Sequence, residues 1–422
     1  MKIKKVLFAP GVSGAYYDDQ VAVKSGLKPD GLFYKGNPAI RGFKRIRQPG
    51  ESISVILILE DDQIAIGDCS AVQYSGIGGR DPIFLSSIYV PYLKNHIEPI
   101  LQKLDIIRFK DTCRAIEQIE PKGKKIPNAL RYGLSQAILD ASAKIKRKTM
   151  AEIILDEYHL PLIPERIPIF GQTGDDRYSN VDKMILKEVD VLPHALINNV
   201  ADKLGSKGQK LKAYIKWLVQ RIKDFRTHPS YKPILHIDVY GTVGIIFNND
   251  PVKVASYLAQ LENICSEFPL YIEAPVDVGG KPQQIEALSA IRSEMKRIGC
   301  KIKIVADEWC NTLADVKSFV NSKCCHMIQI KTPDLGCVHN VVESILYCKE
   351  NGVEAYQGGT CNETDISSRI CTQIAVAARA DRILAKPGLG FDEGYCIVKN
   401  EMERTLEILK YKKSLKNGKE AI

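Results

Sequence analysis

The sequence predicts an α/β protein in two parts, an N-terminal α+β domain over residues 1–160 and a TIM-type (β/α)8 barrel over residues 161–410. Its 422 residues are too many for one small domain and suit two. After residue 161, short apolar runs alternate with amphipathic helical stretches, which is the rhythm of a (β/α)8 barrel of about 250 residues. Residues 411–422 are predicted to form a basic C-terminal tail.

The N-terminal domain is predicted to combine a hairpin with helices. Residues 54–60 (SVILILE) and 63–67 (QIAIG) flank the polar pair Asp61-Asp62, a pattern typical of two antiparallel strands joined by a turn. Residues 127–146 carry apolar side chains three and four positions apart, which predicts a helix with one buried face.

Eight short apolar runs supply the predicted barrel strands. They lie at residues 167–172, 183–187, 234–240, 270–274, 302–307, 326–331, 353–357 and 381–385. Helical patterns at 251–265, 281–299 and 336–350 fill gaps between them. The segment 188–233, after the predicted second strand, is an unusually long connection.

Composition excludes several classes of protein. A hydrophobic share of 45% with 26% charged residues is that of an ordinary globular chain. The longest apolar runs resemble Val55–Leu59, far short of the roughly 18 residues of a membrane-spanning helix. The 59 basic and 50 acidic residues give a net charge of +9, but the basic runs lack the interleaved aromatic residues of a nucleic-acid site. The 12 cysteines include no Cys-x-x-Cys pair, so we expect reduced thiols and a cytoplasmic location.

Polar residues end four consecutive predicted strands. Asp238, Glu273, Asp307 and Lys331 are each about one βα unit apart, and the carboxyl ends of barrel strands converge on one mouth. Three carboxylates gathered there repel one another unless a cation neutralises them. A ligand set of oxygen atoms favours Mg²⁺ or Mn²⁺ over zinc.

The lysine at the end of the sixth predicted strand has three possible roles. Burial and a neighbouring divalent cation would lower the pKa of Lys331, which would make it a base for a proton next to a carboxylate. A Schiff base with a carbonyl substrate is a second role, and a structural ion pair with a barrel acid is the third.

Nine motifs are spread over the chain. They are DDQ at 18–20, GESISV at 50–55, VQYSG at 72–76, GDDRY at 174–178, DVLPHALINNV at 190–200, HIDVYGT at 236–242, VADEWCNT at 305–312, QIKTPDLG at 329–336 and GGTCNET at 358–364. With the acidic residues and the lysine at the strand ends, these motifs resemble one enzyme family, the methylaspartate ammonia-lyases of the enolase superfamily. The resemblance covers essentially the whole chain apart from the C-terminal tail.

The resemblance implies an enolase-like fold, a modified barrel under an N-terminal capping domain, and a reaction. The reaction is elimination of ammonia from the amino acid L-threo-3-methylaspartate to give mesaconate, in glutamate fermentation through the methylaspartate pathway. It also implies a homodimer and activation by K⁺. The implied Mg²⁺ ligands are Asp238, Glu273 and Asp307, the implied base at C3 is Lys331, and the implied substrate contacts are Gln73, Gln172, His194, Gln329, Thr360 and Cys361.

The residues give these contacts a physical interpretation as well. Gln172 and Gln329 can donate hydrogen bonds to a carboxylate without adding charge. His194 follows Pro193 at what reads as a helix start, and it is expected both to bind the substrate and to serve as base on the C3 epimer. Leu384, with Phe170 and Tyr356, is expected to form an apolar wall around the substituent on C3.

Two alternatives stay open at this point. Another dehydratase, racemase or cycloisomerase of the enolase superfamily would act on a different carboxylate. Many of these carry a Lys-x-Lys pair at the end of the second strand, where the predicted strand has Lys183 and Lys187 instead. A non-catalytic basic binding protein would explain the tail but not the acidic residues. The Ala-Ser-Gly tripeptide of another ammonia-lyase class is absent.

Overall fold

The computed structural model describes residues 2–416 apart from residues 26, 28, 107 and 266. In the N-terminal domain, a sheet in the order β1-β4-β5 packs against helices, and β2 pairs with β3. The strands are β1 (Ile3–Asp18), β2 (Pro29–Asp30), β3 (Phe33–Tyr34), β4 (Arg47–Leu59) and β5 (Ile64–Cys69). The helices are α1 (Gln20–Lys24), α2 (Ser86–Tyr92), α3 (Glu98–Leu101), α4 (Phe109–Glu117), α5 (Asn128–Ile145) and α6 (Met150–Glu157).

The predicted hairpin and helix of this domain are both confirmed. Strands β4 and β5 pair antiparallel around the turn at residues 60–63. Helix α5 buries most of its length against β5, and Gly133 and Gly67 allow this close approach, because a Cβ at Gly67 would lie 2.3 Å from the Ala137 backbone nitrogen.

Among the described residues, eight parallel strands close a barrel in the order β10-β11-β12-β13-β6-β7-β8-β9. The strands are β6 (Ile169–Phe170), β7 (Val191–His194), β8 (Ile234–Asp238), β9 (Leu270–Glu273), β10 (Lys303–Ala306), β11 (Met327–Ile330), β12 (Glu354–Gln357) and β13 (Arg382–Leu384). The helices are α7 (Ser179–Leu186), α8 (Gln209–Phe225), α9 (Thr242–Phe247), α10 (Pro251–Cys265), α11 (Lys281–Arg297), α12 (Leu313–Ser322), α13 (Val338–Glu350), α14 (Asp365–Ala378) and α15 (Asp392–Lys416). The predicted fold class, a barrel with an N-terminal α+β cap, is confirmed.

One predicted strand is wrong. Residues 183–187 belong to helix α7 and its C-cap, where Val181, Met184 and Ile185 recur at helical spacing and are buried. The second barrel strand is β7, which pairs with β6 and β8. The sequence pattern does not reveal β7, because the strand is only four residues long and contains Pro193. A proline normally argues against a central strand.

The C-terminal helix extends beyond the predicted barrel boundary. Helix α15 runs through Lys416, and the Lys412 ammonium lies 2.8 Å from the Glu152 carboxylate on α6. The first part of the predicted basic tail is therefore helical and contacts the N-terminal domain, while residues 417–422 lie outside the described residues. Each helix in the described part of the chain is too short or too polar to traverse a bilayer.

Candidate active site

The four polar residues predicted at the strand ends meet at the mouth of the barrel. Asp238 and Glu273 are the last residues of β8 and β9, and their registers place them side by side. Asp307 and Lys331 directly follow β10 and β11. Loops of the N-terminal domain cover this mouth, and Gln73 and Tyr74 line the same cavity as Asp238, Asp307 and Lys331.

Two of the three predicted carboxylates, Asp238 and Glu273, form a compact buried cluster with His194, while Asp307 pairs with Lys331. Ligand atoms of His194, Asp238 and Glu273 all lie within 4.8 Å of one another. Burial raises the pKa of Asp238 well above its usual range, and the neighbouring Asp307 carboxylate raises it further. Burial, then Asp238 and Asp307, have the same effect on the pKa of Glu273. A divalent cation with a preference for oxygen would relieve this repulsion, so the donor set fits Mg²⁺.

Lys331 is held in an ion pair. Its ammonium lies 2.6 Å from an Asp307 oxygen, and both side chains are almost fully buried. Burial is the largest influence and lowers the pKa of Lys331, but the negative charges of Asp307, Glu308 and Asp334 together outweigh burial and raise this pKa. The expected lowering of this pKa depends on a divalent cation beside the ammonium, so it stays a prediction.

His194 faces Lys331 across the barrel. It ends β7, and in the strand order β7 and β11 are four strands apart, so the two side chains project from opposite sides. The predicted helix start at His194 is wrong, since the residue is the last of a buried strand. Its Nε2 lies 3.6 Å from Asp238 Oδ2. Burial, with Lys331 and Lys203 nearby, lowers the pKa of His194 to about 4, so the imidazole is neutral near pH 7.

The two predicted glutamines are committed to different partners. Gln329 donates from Nε2 to Glu273 Oε1 at 2.7 Å, so it orients a carboxylate of the protein. Gln172 donates from Nε2 to the carbonyl oxygens of Ala385 and Gly388 at 3.2 and 3.1 Å. Both side chains line the cavity. Gln172 uses both of its N–H donors and keeps its amide oxygen for a ligand, whereas Gln329 keeps one N–H donor and its amide oxygen.

The loop after β12 brings Thr360 and Cys361 to the cavity and joins the barrel to the cap. The Gln73 backbone N–H donates to Thr360 Oγ1 at 3.3 Å, and the Cys361 thiol donates to Gln73 Oε1 at 3.4 Å. Burial raises the pKa of the Cys361 thiol to about 12, so it remains protonated. The predicted contacts Gln73, Thr360 and Cys361 therefore lie together.

Two family models match the chain, one over the N-terminal residues and one over the barrel. The methylaspartate ammonia-lyase N-terminus family matches residues 1–159, and the methylaspartate ammonia-lyase C-terminus family matches residues 161–411. The chain belongs to the methylaspartate ammonia-lyase family. The resemblance seen in the sequence motifs is confirmed, and the chain is an enzyme.

Similar proteins cover the full length of this family member. The methylaspartate ammonia-lyase of Citrobacter amalonaticus is 56% identical over 98% of this chain and 100% of its own length. Its crystal structure, which contains (2S,3S)-3-methylaspartic acid, superposes with a TM-score of 0.96 over 97% of this chain and 100% of that one. The Mg complex of β-methylaspartase from Clostridium tetanomorphum is 51% identical, with a TM-score of 0.93 over 98% and 100% of the two chains.

More distant structures share the architecture of the methylaspartate ammonia-lyase family. Muconate lactonizing enzyme from Pseudomonas fluorescens has a TM-score of 0.62 at 12% identity, over 93% of this chain and 88% of that one. This likeness concerns the fold alone and places the barrel and cap in the enolase-like class. The predicted contrast with a Lys-x-Lys strand used residues 183–187, which are helical, but the true second strand ends in His194 and carries no lysine.

Two of the three residues expected to form an apolar wall line the cavity. Leu384 and Tyr356 line the cavity, at the ends of β13 and β12. Phe170 is fully buried and does not line it. Its ring stacks on His236 with centroids 4.3 Å apart and contacts the rings of His194 and Tyr356, so Phe170 lies behind the lining residues and not in the wall itself.

Several cavity residues were missed by sequence reasoning. Arg80, on the glycine-rich loop of the cap, is buried and pairs with Glu308 at 3.0 Å and Asp334 at 2.8 Å. Tyr240 also lines the cavity, with its ring edge against Tyr74. Glu308 follows the predicted ligand Asp307 directly, which is the one signal in the sequence that could have drawn attention to this group.

Proposed function

We propose that this enzyme eliminates ammonia from L-threo-3-methylaspartate to give mesaconate. The observation that carries the proposal is the placement of Lys331 and His194 on opposite sides of a cavity that is lined by buried carboxylates. One crystallised relative contains (2S,3S)-3-methylaspartic acid and another is a Mg complex. Because this chain belongs to the same family, we propose the same substrate for it.

Asp238, Glu273 and Asp307 are proposed to hold Mg²⁺. All three are buried carboxylates, and Gln329 holds Glu273 in place from one side. Mg²⁺, when bound, supplies the positive charge that stabilises extra negative charge on a substrate carboxylate and opposes protonation of Lys331.

Lys331 is proposed to take the proton from C3. Its amine gains that proton, the electrons of the C3–H bond form the C2–C3 double bond, and the C2–N bond breaks to release ammonia. His194, neutral and opposite, is proposed to bind the threo substrate and to accept the C3 proton of the erythro epimer. General-base removal commonly costs about 10²–10⁴-fold in rate, which gives this assignment a measurable size.

The remaining cavity residues are proposed to orient the substrate. Leu384 is proposed to contact the substituent on C3, and the other residues are proposed to make polar contacts with the substrate. The proposed polar contacts are Gln73, Gln172, His194, Gln329, Thr360 and Cys361.

Family resemblance also supports proposals about the working enzyme. These are a homodimer, activation by K⁺, a cytoplasmic location, and a place in glutamate fermentation through the methylaspartate pathway. Gel filtration and activity with K⁺ replaced by Na⁺ test the first two.

A direct ultraviolet assay tests the reaction. Purified enzyme with 3-methylaspartate and Mg²⁺ should produce the absorbance of mesaconate, and chelation of Mg²⁺ should stop it. Lys331→Met should abolish the signal while its circular dichroism spectrum stays that of the folded parent. Lys317→Met, a surface lysine on α12, is the matched control and should keep full activity. Mesaconate formation that persists at the parent rate after chelation would overturn the metal assignment.

A further inference from the structure

A line of polar side chains runs through the barrel interior beneath Glu273. Arg382 begins β13, His236 lies in the middle of β8, and Glu273 ends β9. Arg382 Nη1 lies 3.1 Å from His236 Nδ1, and His236 Nε2 lies 2.8 Å from Glu273 Oε2. His236 and Glu273 have no solvent-exposed side-chain surface, and Arg382 is 2% exposed.

The arginine fixes which imidazole nitrogen carries the proton. A guanidinium has donors and no acceptor, and it stays charged in proteins. Arg382 therefore donates to His236 Nδ1, which must be the unprotonated nitrogen. The proton of the neutral ring then lies on Nε2, and Nε2–H donates to Glu273 Oε2. A protonated ring would place an N–H donor against the guanidinium N–H.

Neighbouring rings fix the plane of the imidazole. Phe170 stacks on His236 at 4.3 Å between centroids, with planes 14° apart, and Tyr356 meets its edge at 5.5 Å. The Arg382 guanidinium lies 4.2 Å above the Tyr271 ring, which holds the arginine end of the line. Rotation of His236 away from Glu273 would break these contacts as well as two hydrogen bonds.

Glu273 is therefore oriented on both oxygens. Gln329 Nε2 donates to Oε1 at 2.7 Å, and His236 donates to Oε2. We propose that Arg382 and His236 are positioning residues for Glu273: the arginine sets the tautomer of the histidine, and the histidine sets the direction in which the carboxylate presents its free lone pairs to a cation. Because Glu273 is a proposed Mg²⁺ ligand, this inference rests on the proposed function.

The tautomer can be measured without metal or substrate. Histidine labelled with ¹⁵N gives one ring pattern for each of the seven histidines, and the His236→Phe variant identifies the pattern of His236 by its loss. The metal-free parent enzyme should show a neutral ring with its proton on Nε2. A proton on Nδ1, or on both nitrogens near pH 7, would overturn the inference whatever the enzyme's function is.

The affinity for Mg²⁺ tests whether Arg382 and His236 orient the Glu273 carboxylate. Binding is measured by calorimetry with Mg²⁺ alone, without substrate. Changes in the groups that orient a metal ligand typically weaken affinity about 10–100-fold, and we expect Arg382→Met to fall near the lower end of that range. Arg382→Lys keeps a donor for Nδ1 and should bind more tightly than Arg382→Met. Met327→Ala removes a side chain from the same apolar layer of the barrel and should destabilise the protein without changing Mg²⁺ affinity.

Glu273→Gln separates the two ways in which the inference can fail. If this variant loses Mg²⁺ binding while Arg382→Met binds as tightly as the parent, the positioning role is overturned and the metal site stands. If Glu273→Gln and the parent bind Mg²⁺ equally, the metal assignment of the proposed function is overturned, and the role of Arg382 in metal binding is overturned with it.

Discussion

Replacing Lys386 by methionine should destabilise the enzyme through a carboxylate left behind in the core. Lys386 and Glu363 form an ion pair 3.0 Å long, and neither side chain is exposed at all. The ammonium also donates to Thr332 Oγ1 and to the Gly358 carbonyl oxygen, at 3.0 and 2.8 Å. The pair therefore ties together the segments that follow β11, β12 and β13, directly behind the Thr360–Cys361 loop.

The stability lost in Lys386→Met depends on the hydrogen bonds that Glu363 retains. Removing one partner of a buried ion pair typically costs about 3–5 kcal/mol. Glu363 would still accept hydrogen bonds from Thr332 at 2.6 Å and from Tyr132 at 2.9 Å, so we expect about 3 kcal/mol, the lower end of that range. Unfolding entropy is about 2.1 cal/mol/K per residue, or about 0.9 kcal/mol/K for the 422 residues. The melting temperature should therefore fall by about 3–4 °C.

A double-mutant cycle measures the pair itself. Lys386→Met, Glu363→Gln and the double variant are compared with the parent by thermal unfolding in the same buffer. The double variant should lose less than the two single losses added together, because it leaves no unpaired charge in the core. Additive losses would refute the reasoning, as would an unchanged melting temperature in Lys386→Met.

Three further predictions concern the chemistry. Asp307→Asn removes one negative ligand and should abolish activity at low Mg²⁺ while leaving the circular dichroism spectrum intact; near-normal rates would contradict the metal assignment. Leu384→Ala should admit larger groups at C3, so kcat/KM for ethyl- and propyl-substituted analogues should rise relative to the parent, and unchanged ratios would remove Leu384 from the pocket wall. Lys331→Ala should lose about 10²–10⁴-fold on the threo isomer and proportionally less on the erythro isomer, with His194→Ala reversing the bias. Equal proportional losses on both isomers would mean that one base serves both faces.

The barrel and its acidic mouth could be predicted because both follow local rules. Strands separated by one βα unit must end on the same rim, so the spacing of Asp238, Glu273 and Asp307 along the chain already placed them together. Lys331 obeyed the same rule. The structure adds that this lysine points at Asp307 rather than away from it, a choice of side-chain direction that spacing cannot decide.

The second strand could not be predicted from pattern alone. Strand β7 is short and contains a proline, while the nearby segment at residues 183–187 is more apolar and belongs to a helix. Tertiary context outweighed local strand propensity at this position, because β7 is held by its hydrogen bonds to β6 and β8. The same error moved His194 from a strand end to a helix start.

Contacts between distant parts of the chain were also invisible in the sequence. Arg80 comes from the cap and reaches Glu308 and Asp334 in the barrel, 228 and 254 residues later. Arg382 and His236 meet across the barrel interior, although they lie 146 positions apart in the chain. One local signal existed: His236 precedes Asp238 by two residues, which places both side chains on the same face of β8.

The buried charges at the barrel mouth lower the stability of the fold and are explained by cation binding. Asp238, Glu273 and Asp307 share one neighbouring ammonium, that of Lys331, and burial and mutual repulsion raise the pKa values of Asp238 and Glu273. Apolar residues of similar size would often serve the fold as well or better, because buried charges seldom add net stability. A ligand that binds only the folded chain returns stability, about 2.7 kcal/mol at a hundred times its Kd. Under the proposed metal assignment, the acidic cluster lowers the stability of the fold without the cation and the bound cation restores it, so binding at the mouth explains the arrangement better than the packing of the barrel does.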